Sequence, residues 1–104
     1  MNNKKCLGKR IKELRKKAGY TQEQFSELID IEASSLSGIE SGRHYPSMLT
    51  LERIANVLNL KFKTLFEFEN YVPIEQMKST IINNINNISD SEVSIIYKIL
   101  LALN

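Results

Sequence analysis

Apolar residues recur every third or fourth position along most of this chain, the spacing of helices that bury one face. The pattern predicts a first helix over residues 7–18, with Leu7, Ile11, Leu14 and Ala18 facing inward and Gly19-Tyr20 ending it. Thr21 opens a second helix as N-cap, Gln24 completes a capping box, and Phe25, Leu28 and Ile29 form its inner face. Asp30 falls where a tight turn is needed, and Asp tolerates the left-handed backbone. Ile31 then turns back toward the core. A third helix over 32–41 buries Leu36 and Ile39, and Gly42 closes it as a C-cap glycine.

Past the turn at Arg43-His44-Tyr45-Pro46, residues 47–58 predict a fourth helix with a stripe of Met48, Leu51, Ile54, Ala55 and Leu58, capped by Asn59. Residues 60–68 carry Leu60, Phe62, Leu65, Phe66 and Phe68, a short fifth helix that closes the core. Residues 69–73 read as a linker. Residues 74–87 then form an Asn-rich helix with a narrow stripe of Ile74, Met77, Ile81 and Ile85, continued by Ile88. Asn is a poor helix former, so this helix depends on docking. Ser89-Asp90-Ser91-Glu92 is a capping box, and the helix it starts is apolar almost all round, at Val93, Ile95, Ile96, Tyr97, Ile99, Leu100, Leu101, Ala102 and Leu103.

A helix apolar on every side must be covered on more than one. The rest of the chain supplies one cover. The other is either a second copy, meeting Val93, Ile96, Tyr97, Ile99, Leu100 and Leu103, or a monomer fold that wraps the helix. The expected class is all-α: a basic arm at 1–6, a five-helix domain at 7–68 and a helical dimerisation segment at 69–104.

Composition narrows the function classes. With 104 residues and 42% hydrophobic content, the chain has room for one modest core with an appendage. It contains no 18-residue apolar run and no signal-peptide pattern, so a soluble cytoplasmic protein is expected and no membrane partner. Cys6 has no internal disulfide partner, and one Cys with one His argues against a structural zinc site. The acids are scattered, and there is neither a nucleophile–base arrangement nor a Gly-rich phosphate loop. Catalysis, metal and cofactors are therefore not expected.

The net charge of +2 hides an uneven distribution. Residues 1–20 hold eight basic groups against the single acid Glu13, a net +7, while the rest of the chain is acidic. Such a basic end suits a polyanion, and it equally suits a solvated lysine-rich helix face.

Two short helices joined by a tight turn can lay the second in the DNA major groove, or can be plain bundle pieces. The residues favour the first. Thr21-Gln22, Ile39-Glu40 with Gly42, Pro46-Ser47, Thr50-Leu51, Ile54-Ala55, Leu58 and Leu65-Phe66 stand in register. Over residues 7–68 the chain resembles the lambda-repressor-like helix-turn-helix regulators, the XRE family. That resemblance implies a motif at 22–41 with its recognition helix at 32–41.

It further implies a structural ion pair between Arg15 and Glu40, and phosphate contacts by Gln22 and the backbone N–H groups at the start of its helix. Thr21, Arg43 and backbone groups near Ser41 to Arg43 would add to these, with His44 either the second basic residue of the phosphate-touching loop or an exposed loop histidine with no role. Base readout falls to Glu32, Ala33, Ser34, Ser37 and Gly38. This set departs from the family pattern: it has no Arg, Lys, Asn or Gln, the side chains that grip guanine or adenine in pairs of hydrogen bonds. Glu32 either accepts from a cytosine amino group or caps its helix. Gly38 gives up about 1 kcal/mol of helix stability relative to Ala and allows close approach. Specificity then comes partly from DNA shape, or the binding is weakly selective.

The function implied is double-stranded DNA binding by a dimeric transcriptional regulator, most often a repressor. The rivals are an antitoxin, or an interaction module that has lost DNA binding. Either would bring a protein partner, a toxin or an anti-repressor.

Overall fold

The computed structural model describes residues 3–68 and 72–103. Met1 and Asn2 of the expected arm, Glu69, Asn70 and Tyr71 of the expected linker, and Asn104 lie outside the described residues. The helices are α1 (Asn3–Lys17), α2 (Gln22–Leu28), α3 (Ala33–Glu40), α4 (Met48–Val57), α5 (Ile74–Ile85) and α6 (Asp90–Leu103), with a 3-10 helix at Phe62–Phe66 between α4 and α5. No strand occurs among the described residues. The chain divides into two compact units, residues 1–69 and 70–104.

In the first unit every helix contributes to one core. Ile11, Phe25, Ile29, Leu36, Ile54 and Leu65 are fully buried, and Leu7, Ile39, Leu51 and Ala55 nearly so. Fully burying one such aliphatic or aromatic side chain is worth roughly 1.5–3 kcal/mol. Four turns hold the short helices at the angles this core needs, and all four close in the same way. Tyr20, Ile31, Arg43 and Leu60 each donate an N–H to the carbonyl five residues back, on Arg15, Ser26, Gly38 and Ala55. The residue before each donor, Gly19, Asp30, Gly42 or Asn59, has a positive φ of 53–87°. This six-to-one closure needs a left-handed residue, which is why Gly, Asp and Asn punctuate the pattern.

Three inward positions and the arm differ from expectation. Helix α1 starts at Asn3, so residues 3–6 are helix rather than arm. The added turn is held by packing: Cys6 is half-buried, and Lys5 lies against Gly42. Ala18 is exposed because α1 ends one residue earlier. Leu28 is 51% exposed, since the core-facing line of α2 runs from Phe25 to Ile29 and Leu28 falls beside it. Phe66 is also exposed. Its segment is a 3-10 helix, in which positions three apart eclipse, so Phe62 and Leu65 share the inner face and Phe66 leaves it.

The second unit is a pair of helices. Pro73 precedes α5, and Ser89 and Glu92 build the capping box of α6: the Glu92 N–H donates to Ser89 Oγ at 3.2 Å and the Ser89 N–H to Glu92 Oε1 at 3.1 Å. Neither helix contains a buried residue. No helix among the described residues is long and apolar enough to cross a membrane.

Candidate nucleic-acid interface

Thr21 fixes the start of α2. Its Oγ1 accepts from the Gln24 N–H at 3.1 Å, and its own N–H donates to Gln24 Oε1 at 3.0 Å. The Thr21 hydroxyl is thereby committed to capping, and Gln22 becomes the first helical residue.

Glu40, the last residue of α3, is the centre of a polar cluster. Arg15 Nε donates to Glu40 Oε2 at 2.7 Å and Nη2 to Oε1 at 3.0 Å, a two-pronged pair with both side chains almost wholly buried. Arg15 Nη1 donates to the Tyr20 carbonyl at 2.7 Å, and Gln22 Nε2 donates to Glu40 Oε1 at 2.9 Å. One carboxylate therefore ties α1, the α1–α2 turn and the start of α2 to the end of α3. Sequence reasoning pairs Arg15 with Glu40 but assigns Gln22 to phosphate alone; the bond from Gln22 to Glu40 has no signature in the spacing.

Beyond α3, Ser41 Oγ donates to the Gly38 carbonyl at 3.1 Å and accepts from Arg43 Nε at 3.2 Å. Ser41 thus anchors Arg43, which remains exposed. Gln22 and Arg43, the two expected phosphate ligands with mobile donors, are both anchored at the C-terminal end of α3. Its N-terminal face is left open, with Glu32, Ala33 and Ser34 exposed and Ser37 half-exposed. Glu32 is the N-cap by position, but its side chain makes no capping hydrogen bond. Gly38 is placed differently from the rest of that set. It is buried, and what covers it is the imidazole of His44. No close approach by a ligand to the Gly38 backbone is open while the ring stays there.

The basic N-terminus is not all free charge. Arg15 is consumed by the buried pair, and Arg10 Nε donates to the Thr64 carbonyl at 3.2 Å, holding α1 to the 3-10 helix. Lys9, Lys12, Lys16 and Lys17 remain exposed on α1. Gly8 is a structural residue that the sequence reading passes over. A Cβ there would run into the Ile39 and Glu40 carbonyl oxygens, so α1 crosses α3 in direct backbone contact. An isolated glycine inside a helical pattern is the available signal. Among the described residues, no three His, Cys, Asp or Glu side chains group to hold a metal ion.

The chain is similar to the immunity repressor protein of Bacillus phage phi105, at 36% identity over 70 residues, 67% of this chain and 49% of that protein. It is 43% identical over 54 residues to the HTH-type transcriptional regulator ImmR of Bacillus subtilis, covering 52% of this chain and 42% of the relative. The chain thus spans about half the length, or less, of these two relatives.

Among solved structures, the restriction-modification controller protein C.AhdI of Aeromonas hydrophila matches with a TM-score of 0.61 and 27% identity, over 64% of this chain and all of that one. The SinR protein/SinI protein complex matches with a TM-score of 0.57 and 26% identity, over 90% of this chain and 93% of that one. Residues 11–65, more than half of the chain, match the helix-turn-helix family, and with the α2–turn–α3 geometry above the chain belongs to it, as an XRE-type helix-turn-helix protein.

Proposed function

We propose that this chain binds double-stranded DNA sequence-specifically as a transcriptional regulator, a cytoplasmic repressor that works as a homodimer. The observation that carries the reading is the arrangement around α3. Its N-terminal face is open and small-sided, while a neutral and a cationic donor, Gln22 and Arg43, are anchored at its other end by Glu40 and Ser41. In helix-turn-helix proteins the N-terminal residues of the recognition helix meet base edges, and flanking donors take phosphates. Glu40 and Ser41 hold the two phosphate ligands in position, Thr21 fixes the helix start that carries Gln22, and Ala33, Ser34 and Ser37, with Glu32 at the helix start, face the groove. The relatives named as an immunity repressor and as a transcriptional regulator support the same reading.

The exposed apolar faces of α5 and α6 support the dimer, joined through Val93, Ile96, Tyr97, Ile99, Leu100 and Leu103. A two-fold dimer of this kind presents two copies of α3 about one DNA turn apart, ~34 Å. A second reading, in which those helices take a protein partner, is favoured by the likeness to the SinR protein/SinI protein complex over 90% of the chain.

Selection of bound duplexes from a random DNA pool, at near-physiological salt, tests the proposal. A two-fold symmetric consensus is expected. Binding that enriches no sequence and vanishes as salt rises would reduce the interaction to non-specific electrostatics and defeat it.

A further inference from the structure

The face of α3 that would meet bases carries only short side chains and one carboxylate, and at Gly38 it carries none. Yet the space a side chain at 38 would occupy is not empty. The three atoms nearest a Cβ built on Gly38 all belong to the His44 ring: Cε1, Nδ1 at 2.9 Å and Nε2 at 3.1 Å. Gly38 lies one turn beyond Ser34, on the same side of the helix. The ring therefore sits on the surface that Ser34 begins.

The chain path delivers it there. Gly42 turns back at a φ of 80°, and the Arg43 N–H closes on the Gly38 carbonyl at 2.9 Å, so the loop folds over the last turn of α3. His44 remains an exposed residue, and no hydrogen bond among the described residues uses either imidazole nitrogen. A neutral imidazole offers one N–H donor and one acceptor nitrogen. In the major groove a donor finds acceptors at adenine N7, at thymine O4 and at guanine N7 and O6, and guanine is the base that presents two of them side by side.

We propose that His44 is a base-reading residue of this protein: its imidazole, seated on Gly38, replaces the side chain the recognition helix lacks there and donates to a guanine in the major groove. The proposal rests on the DNA-binding reading above. It makes the glycine at 38 a seat for the ring rather than a gap in the reading face. It also moves His44 from the phosphate-touching loop to the sequence-reading set.

The test compares the sequence profiles selected from a random duplex pool by the full-length wild type, His44→Ala and Gly38→Ala, with circular dichroism to verify helix content. His44→Ala is expected to lose a guanine preference of ~10-fold at one position per half-site and to leave the other positions unchanged. Gly38→Ala keeps His44 but puts a methyl group where the ring lies, so it is expected to lose the same preference at the same position. The double variant should lose no more than either single one. A wild type that enriches a consensus that His44→Ala leaves unaltered, or merely binds more weakly throughout, overturns this proposal alone. A wild type that enriches nothing overturns the DNA-binding reading and this proposal with it.

Discussion

Gln22 Nε2 donates at 2.9 Å to the same Glu40 oxygen that accepts Arg15 Nη2 at 3.0 Å. The amide of Gln22 is therefore aimed before any ligand arrives. One N–H is spent on Glu40 and a second remains on the same nitrogen, the donor that the proposed phosphate contact would use. Gln22→Ala should weaken binding to every duplex by a similar factor, with the fold intact and a fall in melting temperature well short of that for Glu40→Ala. It removes one hydrogen bond from the Glu40 carboxylate, which keeps both bonds from Arg15, and Gln22 buries no apolar surface of the core. Titration of several unrelated duplexes by fluorescence anisotropy checks this. Equal affinities for wild type and variant would take Gln22 out of the interface.

Glu40→Ala should act on the fold instead. It leaves the Arg15 guanidinium buried without its two-pronged partner and frees Gln22. Removing one member of a buried pair costs about 3–5 kcal/mol. At roughly 4–8 °C per kcal/mol for a domain of this size, the melting temperature should fall by more than ~10 °C. Replacing both members with apolar residues, as Arg15→Met with Glu40→Leu, should recover most of the loss, since the uncompensated charge goes as well. Thermal unfolding followed by circular dichroism decides it, and an unchanged midpoint for Glu40→Ala would deny the pair its structural role.

Gly8→Ala tests the backbone contact between α1 and α3. On an isolated helix the change would stabilise by about 1 kcal/mol. Here the new methyl group meets the Ile39 and Glu40 carbonyl oxygens, which belong to backbone and have no rotamer to change. Over-packing of this kind costs roughly 1–3 kcal/mol, so net destabilisation is expected. A denaturant midpoint higher than wild type would show that the helices separate without cost.

The elements most legible in the sequence were those with local causes. Capping boxes at Thr21 and Ser89, and left-handed residues at Asp30, Gly42 and Asn59, mark helix ends through bonds made within a few residues, and the structure has them at those places. What spacing could not carry were relations set by tertiary geometry. Leu28 obeys the helical period yet lies outside the core, because the period fixes a face only to within the width of the neighbouring helices. Gly38 reads in the sequence as an open position on the reading face, because nothing local indicates that a ring six residues later covers it. The same applies to Gln22, whose amide finds Glu40 across 18 residues of sequence.

The capping box of α6 should be visible as a pH effect. The Ser89 hydroxyl, and after it the Ser89 N–H, hold the Glu92 carboxyl below its usual range. A carboxyl with a lowered folded-state pKa contributes stability that is present above its unfolded pKa and is lost as pH falls through the folded one. The N-terminus of α6 should therefore loosen on acidification through and below the ordinary carboxylate range. Ser89→Ala should raise the Glu92 pKa toward its usual value, as read from side-chain carbon shifts in an NMR titration. An unaltered titration would mean that the hydroxyl does not hold the carboxylate.

Leu100→Asp addresses the assembly. Tyr97, Leu100, Leu101 and Leu103 are all more than 40% exposed, and α5 adds Ile74, Ile81 and Ile82, each above 60%. Exposed large apolar side chains scattered singly are ordinary, but here many lie on two helices with no buried residue, the surface proposed above for the dimer. A carboxylate at position 100 would have to be desolvated at that surface, at a cost of several kcal/mol, whereas in a monomer it stays in water. The variant should sediment as a monomer at concentrations where the wild type is a dimer. Its affinity for a two-fold site should fall toward that for a half-site, since the second α3 is no longer delivered with the first. Its melting should keep the transition of residues 3–68, because the core of that unit is built from residues 7–68. A variant that still sediments as a dimer would move the interface away from Leu100.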